Sequence, residues 1–170
     1  MKKLLFTIFA VSLLTSCQSK TESPQNVDSC QVATDFLKHY AGNYESISAV
    51  DPFVYEPTYG VDFRKFEMLS ERLKLNVFFT EDFQKRFREK YSKIENELKK
   101  NPQDDGPIEG FEADEFLFTQ DYDEILGWIK SGKYKCSASE NTAVVSFYPE
   151  YALEFQLKDG KIDAMSMKSN

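Results

Sequence analysis

The feature that most restricts the fold is Lys158-Asp159-Gly160-Lys161, which lies between two stretches of alternating apolar and polar residues. An Asp-Gly pair flanked in this way is the strongest short-range signal for a two-residue β-hairpin turn. Ile162 to Met167 follow the turn, and the apolar positions before it are Tyr151, Leu153, Phe155 and Leu157. The sequence therefore predicts two antiparallel strands with one buried and one solvated face.

The same two-residue period begins upstream of this hairpin, after Gly127. Tyr134, Cys136 and Ala138 alternate with polar residues, and a turn at 139–141 leads into another apolar stretch. The C-terminal part of the chain is therefore predicted to be an antiparallel meander.

The N-terminal half instead shows the helical period, and each predicted helix has a polar residue that can cap its first turn. Asp28 begins the first helix, Asp62 the second and Thr80 the third, while Gly42-Asn43 and Asn101-Pro102 mark two of the ends. Helices followed by a meander predict an α+β fold in which the helices cover one face of the sheet.

Residues 47–61 lie between the first two helices and contain two prolines and several aromatic residues. The prolines interrupt regular secondary structure and predict a loop here. Aromatic side chains on a loop that proline stiffens resemble protein-contact hot spots. We therefore consider Phe53, Tyr55 and Tyr59 candidate binding residues. The alternative, that Phe53 and Tyr55 simply cover the open end of the core, stays open.

The N-terminus predicts export. Lys2 and Lys3 precede a short apolar run, and Leu14-Thr15-Ser16-Cys17 closes it in the manner of a bacterial lipobox. This resemblance implies that residues 1–16 are a lipoprotein signal peptide and that Cys17 carries the lipid. Residues 17–28 would then be a flexible tether, and residues 29–170 the single folded domain. An ordinary signal peptide with a chance cysteine is the alternative.

Charge narrows the choice of partners. The chain has a formal net charge of −7, and loss of Lys2 and Lys3 would make it more negative. A nucleic acid partner is disfavoured because binding phosphates requires clustered cations. We expect membrane association through the lipid, with an envelope protein as a further partner. Gln18 is not the aspartate associated with inner-membrane retention, which favours the outer membrane, facing the periplasm.

Two further cysteines, Cys30 and Cys136, follow the lipidation site. Export to an oxidising compartment permits a disulfide between them. The alternative is that Cys136 is a small buried residue on a strand and Cys30 is unpaired.

Three segments carry a family resemblance: Phe78–Phe83, Ala113–Tyr122 and Gly160–Asp163. In this order they resemble an uncharacterised bacterial envelope family, domain of unknown function 3828, over roughly residues 31–168. The resemblance implies a cystatin-like cone of the nuclear-transport-factor-two type, in which a curved antiparallel sheet wraps a long helix. It implies no activity, because none is assigned to the family.

The segment Gly110–Trp128 contains six carboxylates and no basic side chain. Calcium binding is disfavoured, because Ile125 stands where a third ligand would follow Asp121 and Asp123. With one histidine and distant thiols, zinc is disfavoured too. We therefore predict no metal and no cofactor.

Two functions are left open by this acidic segment. The favoured one is architectural: its acids face water or cap backbone N–H groups, and the domain binds a protein or an apolar ligand without catalysis. The alternative is a small-molecule isomerase or lyase. Its candidate catalytic residues are Asp114, Asp121 and Tyr122, because the implied cone could raise a carboxylate pKa inside an apolar pocket.

Overall fold

A computed structural model of the chain describes residues 28–147 and 150–168. The predicted signal peptide, the predicted lipidation site Cys17 and the predicted tether up to residue 27 lie outside the described residues. The helices are α1 Ser29–Gly42, α2 Tyr44–Ser48, α3 Phe63–Arg72, α4 Leu75–Phe78, α5 Glu81–Lys100 and α6 Tyr122–Ser131. The strands are β1 Phe53–Val54, β2 Gly60–Val61, β3 Lys135–Ser139, β4 Thr142–Ser146, β5 Ala152–Lys158 and β6 Lys161–Met167. This arrangement confirms the predicted α+β class.

The C-terminal meander is an open four-stranded antiparallel sheet in the order β3-β4-β5-β6. Its last hairpin pairs Lys158 with Lys161, and the two turn residues between them have positive φ, 52° at Asp159 and 73° at Gly160. Aspartate and glycine tolerate that left-handed backbone, so the Asp-Gly signal correctly predicted the turn.

The three predicted caps are confirmed. The side chains of Asp28, Asp62 and Thr80 each accept a backbone N–H from the first helical turn, at 2.9, 2.9 and 3.1 Å. Because these caps satisfy N–H groups that have no partner within the helix, they set where α1, α3 and α5 begin.

Helix α6 was not predicted, since residues after Gly127 were assigned to the sheet. Its apolar residues Ile125, Leu126 and Ile129 are buried, and Gly132 ends it in the left-handed conformation with φ 69°. Burial of this face against α1 outweighs the low helix propensity of Gly127 inside the helix.

The predicted loop at residues 47–61 contains more regular structure than its prolines suggested. Helix α2 extends to Ser48, and β1 and β2 form a short antiparallel pair in which Phe53 lies opposite Val61. The carbonyl of Pro52 accepts the N–H of Asp62 at 2.8 Å, so the loop returns to the start of α3.

The core lies where α1 packs on β3 and β4 and where the junction of α4 and α5 reaches β6. Phe36 of α1 is fully buried, and its ring centroid lies 4.8 Å from that of Phe79 and 5.6 Å from that of Phe116. Phe79 pairs with Ile162, so β6 is covered at this point while β3 forms the opposite edge.

Cys30 of α1 and Cys136 of β3 form a disulfide, with their Cα atoms 5.9 Å apart. Of the two alternatives left open by the sequence, the structure contains the bridge. It joins the start of the first helix to the edge strand of the sheet across 106 residues of sequence. Within residues 28–147 and 150–168, no helix is both long and apolar enough to span a bilayer.

Candidate ligand-binding pocket

A cavity of about 440 Å³ opens between two parts of the chain, residues 40–55 and residues 106–116. Leu69 of α3 and Tyr91 of α5 complete its lining. We call this cavity the aromatic pocket. It brings together the predicted loop of residues 47–61, which we call the aromatic loop, and the acidic segment Gly110–Trp128. The sequence had marked these as two separate candidate regions.

Aromatic rings form much of the pocket wall. Phe53 is 7% exposed, and its ring centroid lies 5.6 Å from that of Tyr91 and 4.8 Å from that of Phe111. Tyr55 is 47% exposed and meets Tyr59 edge to face at 5.1 Å. Two of the three predicted binding residues, Phe53 and Tyr55, therefore line the pocket, while Tyr59 supports Tyr55.

The loop that carries these rings is held by hydrogen bonds at both ends. The Asp51 carboxylate accepts the N–H of Phe53 at 2.9 Å, which turns the chain just before β1. Beyond the loop tip, Glu95 of α5 accepts the N–H of Val61 at 2.7 Å. Phe53 is thus positioned by short-range turn chemistry and by one contact with a distant helix.

Asp114 lies on the pocket surface, and both of its carboxylate oxygens are engaged. Oδ1 accepts the backbone N–H groups of Phe116 and Leu117, at 3.0 and 2.8 Å. Oδ2 accepts the hydroxyl of Tyr40 at 2.7 Å. Asp114 therefore folds the acidic segment into a turn and ties that turn to α1, as the architectural interpretation predicted for these acids.

Glu115, the next residue, makes an equivalent link to α5. Its carboxylate accepts the hydroxyl of Tyr91 at 2.6 Å and the ammonium of Lys90 at 2.7 Å. The same Lys90 ammonium lies 4.0 Å from the centroid of the Phe111 ring. Two neighbouring acids of one turn thus fasten the pocket to α1 and to α5.

Burial controls the ionisation of the pocket tyrosines. It is the largest cause that raises the pKa of Tyr40 and Tyr91 far above the ordinary value, and the negative charges of Asp114 and Glu115 raise these pKa values further. Burial and a hydrogen bond to Asp51 raise the pKa of Tyr55 to about 12. At neutral pH these hydroxyls are neutral hydrogen-bond donors.

The other two candidate catalytic residues do not line the pocket. Asp121 is exposed at the N-cap of α6, where its backbone N–H donates to Thr119 Oγ1 at 3.1 Å. Tyr122 follows in the first turn of α6, and its ring lies 5.2 Å from that of Tyr44. The structure therefore does not bring Asp114, Asp121 and Tyr122 to one site. In the described part of the chain, no three His, Cys, Asp or Glu side chains group as metal ligands.

Sequence reasoning missed Tyr40, Tyr91 and Glu115 as pocket residues. Both tyrosines are buried on their helices, where the helical spacing of apolar residues places them, but that spacing says nothing about the partner of a hydroxyl. Glu115 was one of several acids in its segment. The signal that marks all three is a buried tyrosine hydroxyl that needs an acceptor, which becomes visible only in three dimensions.

A second hollow of about 790 Å³ lies between α6 and the start of the sheet, beside Trp128, Tyr134 and Phe147. From Phe147 the chain continues into residues 148–149, which are not described. We place the candidate site in the aromatic pocket, because the aromatic loop and the hydrogen-bonded acids converge there.

Comparisons with models of protein families, with curated protein sequences and with solved structures gave no match for this chain. The resemblance to domain of unknown function 3828 and the cone it implies therefore stay predictions. The functional proposal depends on the pocket itself.

Proposed function

We propose that this chain is a lipid-anchored domain of the bacterial cell envelope that binds a small organic ligand in the aromatic pocket without transforming it. The observation that carries the proposal is the convergence of Phe53, Tyr55 and Asp114 on one cavity of about 440 Å³. Ligand pockets in proteins have volumes of about 300–1,000 Å³ and combine apolar walls with a small number of polar groups.

The character of the wall favours an apolar or aromatic ligand. Phe53, Ile108 and Phe116 are buried side chains on the cavity surface, and Pro52 stiffens the loop beside them. A wall that is already ordered loses little conformational entropy when a ligand binds, so more of the contact energy remains as affinity.

Binding is favoured over the isomerase or lyase alternative by the state of the carboxylates. A general base must reach the proton that it removes. Asp114 accepts three hydrogen bonds within the protein, and Glu115 pairs with Lys90 and Tyr91. These partners hold the acids in structural roles, while Asp121 and Tyr122 lie elsewhere.

The membrane part of the proposal is supported by the lipobox-like sequence that ends at Cys17. Two or three acyl chains anchor a protein stably. Residues 17–28 would then connect the lipid to α1, whose second residue, Cys30, is disulfide-bonded to the sheet. We propose an outer-membrane location, facing the periplasm.

The experiment compares a substitution that fills the pocket with a matched substitution at the protein surface. Ala113 lines the pocket, whereas Ala138 lies on the edge strand β3, and both are exposed alanines. Ala113→Trp places an indole in the cavity, and Ala138→Trp controls for a tryptophan at the surface. Melting temperatures are measured for the purified full chain with a library of neutral, anionic and cationic small molecules.

A compound present at 100 times its Kd stabilises the protein that binds it by about 2.7 kcal/mol. We expect some of these compounds to raise the melting temperature of the wild type and of Ala138→Trp but not that of Ala113→Trp. The proposal is wrong if no compound stabilises the wild type, or if all hits stabilise Ala113→Trp equally.

A further inference from the structure

The charged residues that line the aromatic pocket are all acidic. Asp51, Asp114 and Glu115 lie on its surface, and none of the described residues that line it is lysine or arginine. Lys90, which pairs with Glu115 at 2.7 Å, offsets one of these three negative charges. The charges of Asp51 and Asp114 remain.

Among the described residues, Asp114 receives only neutral donors: two backbone N–H groups and the hydroxyl of Tyr40. Such donors stabilise a carboxylate but leave its net charge in place. Because Tyr40 is 4% exposed, this charge lies beside a poorly solvated part of the molecule, where electrostatic interactions are less screened than in water.

The aromatic walls, like the carboxylates, favour a positively charged ligand. Ring faces carry partial negative charge and attract ammonium and guanidinium groups that lie within about 6 Å of the centroid. Phe111 already makes such a contact within the protein, since the ammonium of Lys90, which does not line the pocket, lies 4.0 Å from the centre of its ring. Phe53 and Tyr55 line the same cavity as Phe111.

We infer that the ligand of the aromatic pocket is an organic cation, an amine or quaternary ammonium compound that carries an apolar group. The inference rests on the proposed function and names the ligand class for that same site. The apolar group packs against Phe53 and Phe116, and the cation faces Asp51 and Asp114. An anion of the same shape would meet the negative charges of Asp51 and Asp114 and be rejected.

The test uses three compounds of nearly equal shape: 2-phenylethylamine, which is cationic at neutral pH, neutral 2-phenylethanol and anionic phenylacetate. Dissociation constants are measured by NMR titration of the purified full chain. We expect the amine to bind at least about tenfold more tightly than the alcohol, as cation–π and carboxylate attraction predict, and phenylacetate to bind most weakly. Added salt should weaken binding of the amine and leave the dissociation constant of the alcohol unchanged.

The outcomes separate this inference from the proposed function. If the alcohol binds the wild type as tightly as the amine does, and Ala113→Trp weakens both, the pocket binds ligands but the inference of a cation is wrong. If neither compound binds the wild type more tightly than Ala113→Trp, both the inference and the proposed function fail.

A charge-neutralising variant adds a specific test. Asp51→Asn keeps an acceptor for the Phe53 N–H but removes the negative charge, and Asp35→Asn on the exposed side of α1 is the matched control. We expect Asp51→Asn to raise the dissociation constant of the amine about fivefold, as for loss of one solvent-exposed charge pair, and to leave that of the alcohol unchanged. Asp35→Asn should alter neither. Equal weakening of amine and alcohol by Asp51→Asn would show a merely structural role and contradict the inference.

Discussion

Replacing Asp114 with alanine should strongly destabilise the fold. The carboxylate accepts the N–H groups of Phe116 and Leu117 and the hydroxyl of Tyr40, and so connects the acidic segment to α1. Alanine removes all three hydrogen bonds. It also leaves the Tyr40 hydroxyl without its partner in a side chain that is 4% exposed.

The magnitude follows from these contacts. A hydrogen bond to a charged group contributes about 1.5–3 kcal/mol, and an unpaired buried hydroxyl costs about 1–3 kcal/mol. Because the three bonds act on one turn, they are not additive, and water can replace part of what is lost at the N–H groups. We expect Asp114→Ala to lower the free energy of unfolding by about 3–5 kcal/mol, a large part of the roughly 5–15 kcal/mol typical of a domain.

The assay is urea unfolding of the purified, oxidised protein, followed by circular dichroism. Asp121→Ala is the matched control, because Asp121 belongs to the same acidic segment, is exposed and makes no side-chain cap hydrogen bond to α6. Its effect should stay within about 0.5 kcal/mol. A double-mutant cycle with Tyr40→Phe should give a coupling energy of about 1–3 kcal/mol between the hydroxyl and the carboxylate.

Two results would refute this reasoning. The first is a loss below about 1 kcal/mol for Asp114→Ala, which would mean that its hydrogen bonds contribute little net stability. The second is equal destabilisation by Asp114→Ala and Asp121→Ala, because the three contacts of Asp114 would then not be the cause.

Three further predictions follow from other parts of the chain. Replacing Cys30 and Cys136 together with alanine should cost up to about 4–5 kcal/mol in the free energy of unfolding, because the bridge closes a loop spanning 106 residues; a loss below about 1 kcal/mol in urea unfolding would contradict this. Unfolding free energy should fall above about pH 10, by up to about 2.7 kcal/mol per pH unit for Tyr40 and Tyr91 together, because their raised pKa values keep the folded hydroxyls protonated while the unfolded ones ionise. Below that pH their contribution is fully present, and unfolding free energies from urea titrations at pH 9 to 11.5 should fall less steeply in Tyr40→Phe, by up to about 1.4 kcal/mol per pH unit. Cys17→Ala should move the protein from the membrane fraction to the soluble fraction of the envelope; continued membrane association would count against the lipid anchor.

The parts of the fold that the sequence predicted are those set by neighbouring residues. Asp28, Asp62 and Thr80 cap helices by accepting N–H groups two or three positions away, and Asp159-Gly160 forms its turn through its own backbone. Such local interactions need no knowledge of the tertiary structure.

Helix α6 shows where this reasoning fails. Gly127 interrupts the helical pattern, and Tyr134, Cys136 and Ala138 just beyond it follow the period of a strand. The helix is selected by burial of Ile125, Leu126 and Ile129, which depends on the position of α1. Tertiary packing overrides local preference here.

The pocket could be predicted only in fragments. Phe53, Tyr55 and Asp114 were each identified from their own surroundings, but nothing local indicated that they share a cavity. The contact that joins the acidic segment to α1, from the Tyr40 hydroxyl to Asp114, spans 74 residues of sequence. A single sequence carries no signal for a pairing of that range.

The most direct test of the central claim, that the aromatic loop and the acidic segment form one ligand pocket, is a crystal structure of the full chain with 2-phenylethylamine. We predict its ring against Phe53 and Phe116, and its ammonium on the side of Asp51 and Asp114, within about 6 Å of an aromatic face. A pocket filled by the protein's own side chains, or a compound bound only elsewhere, would contradict it.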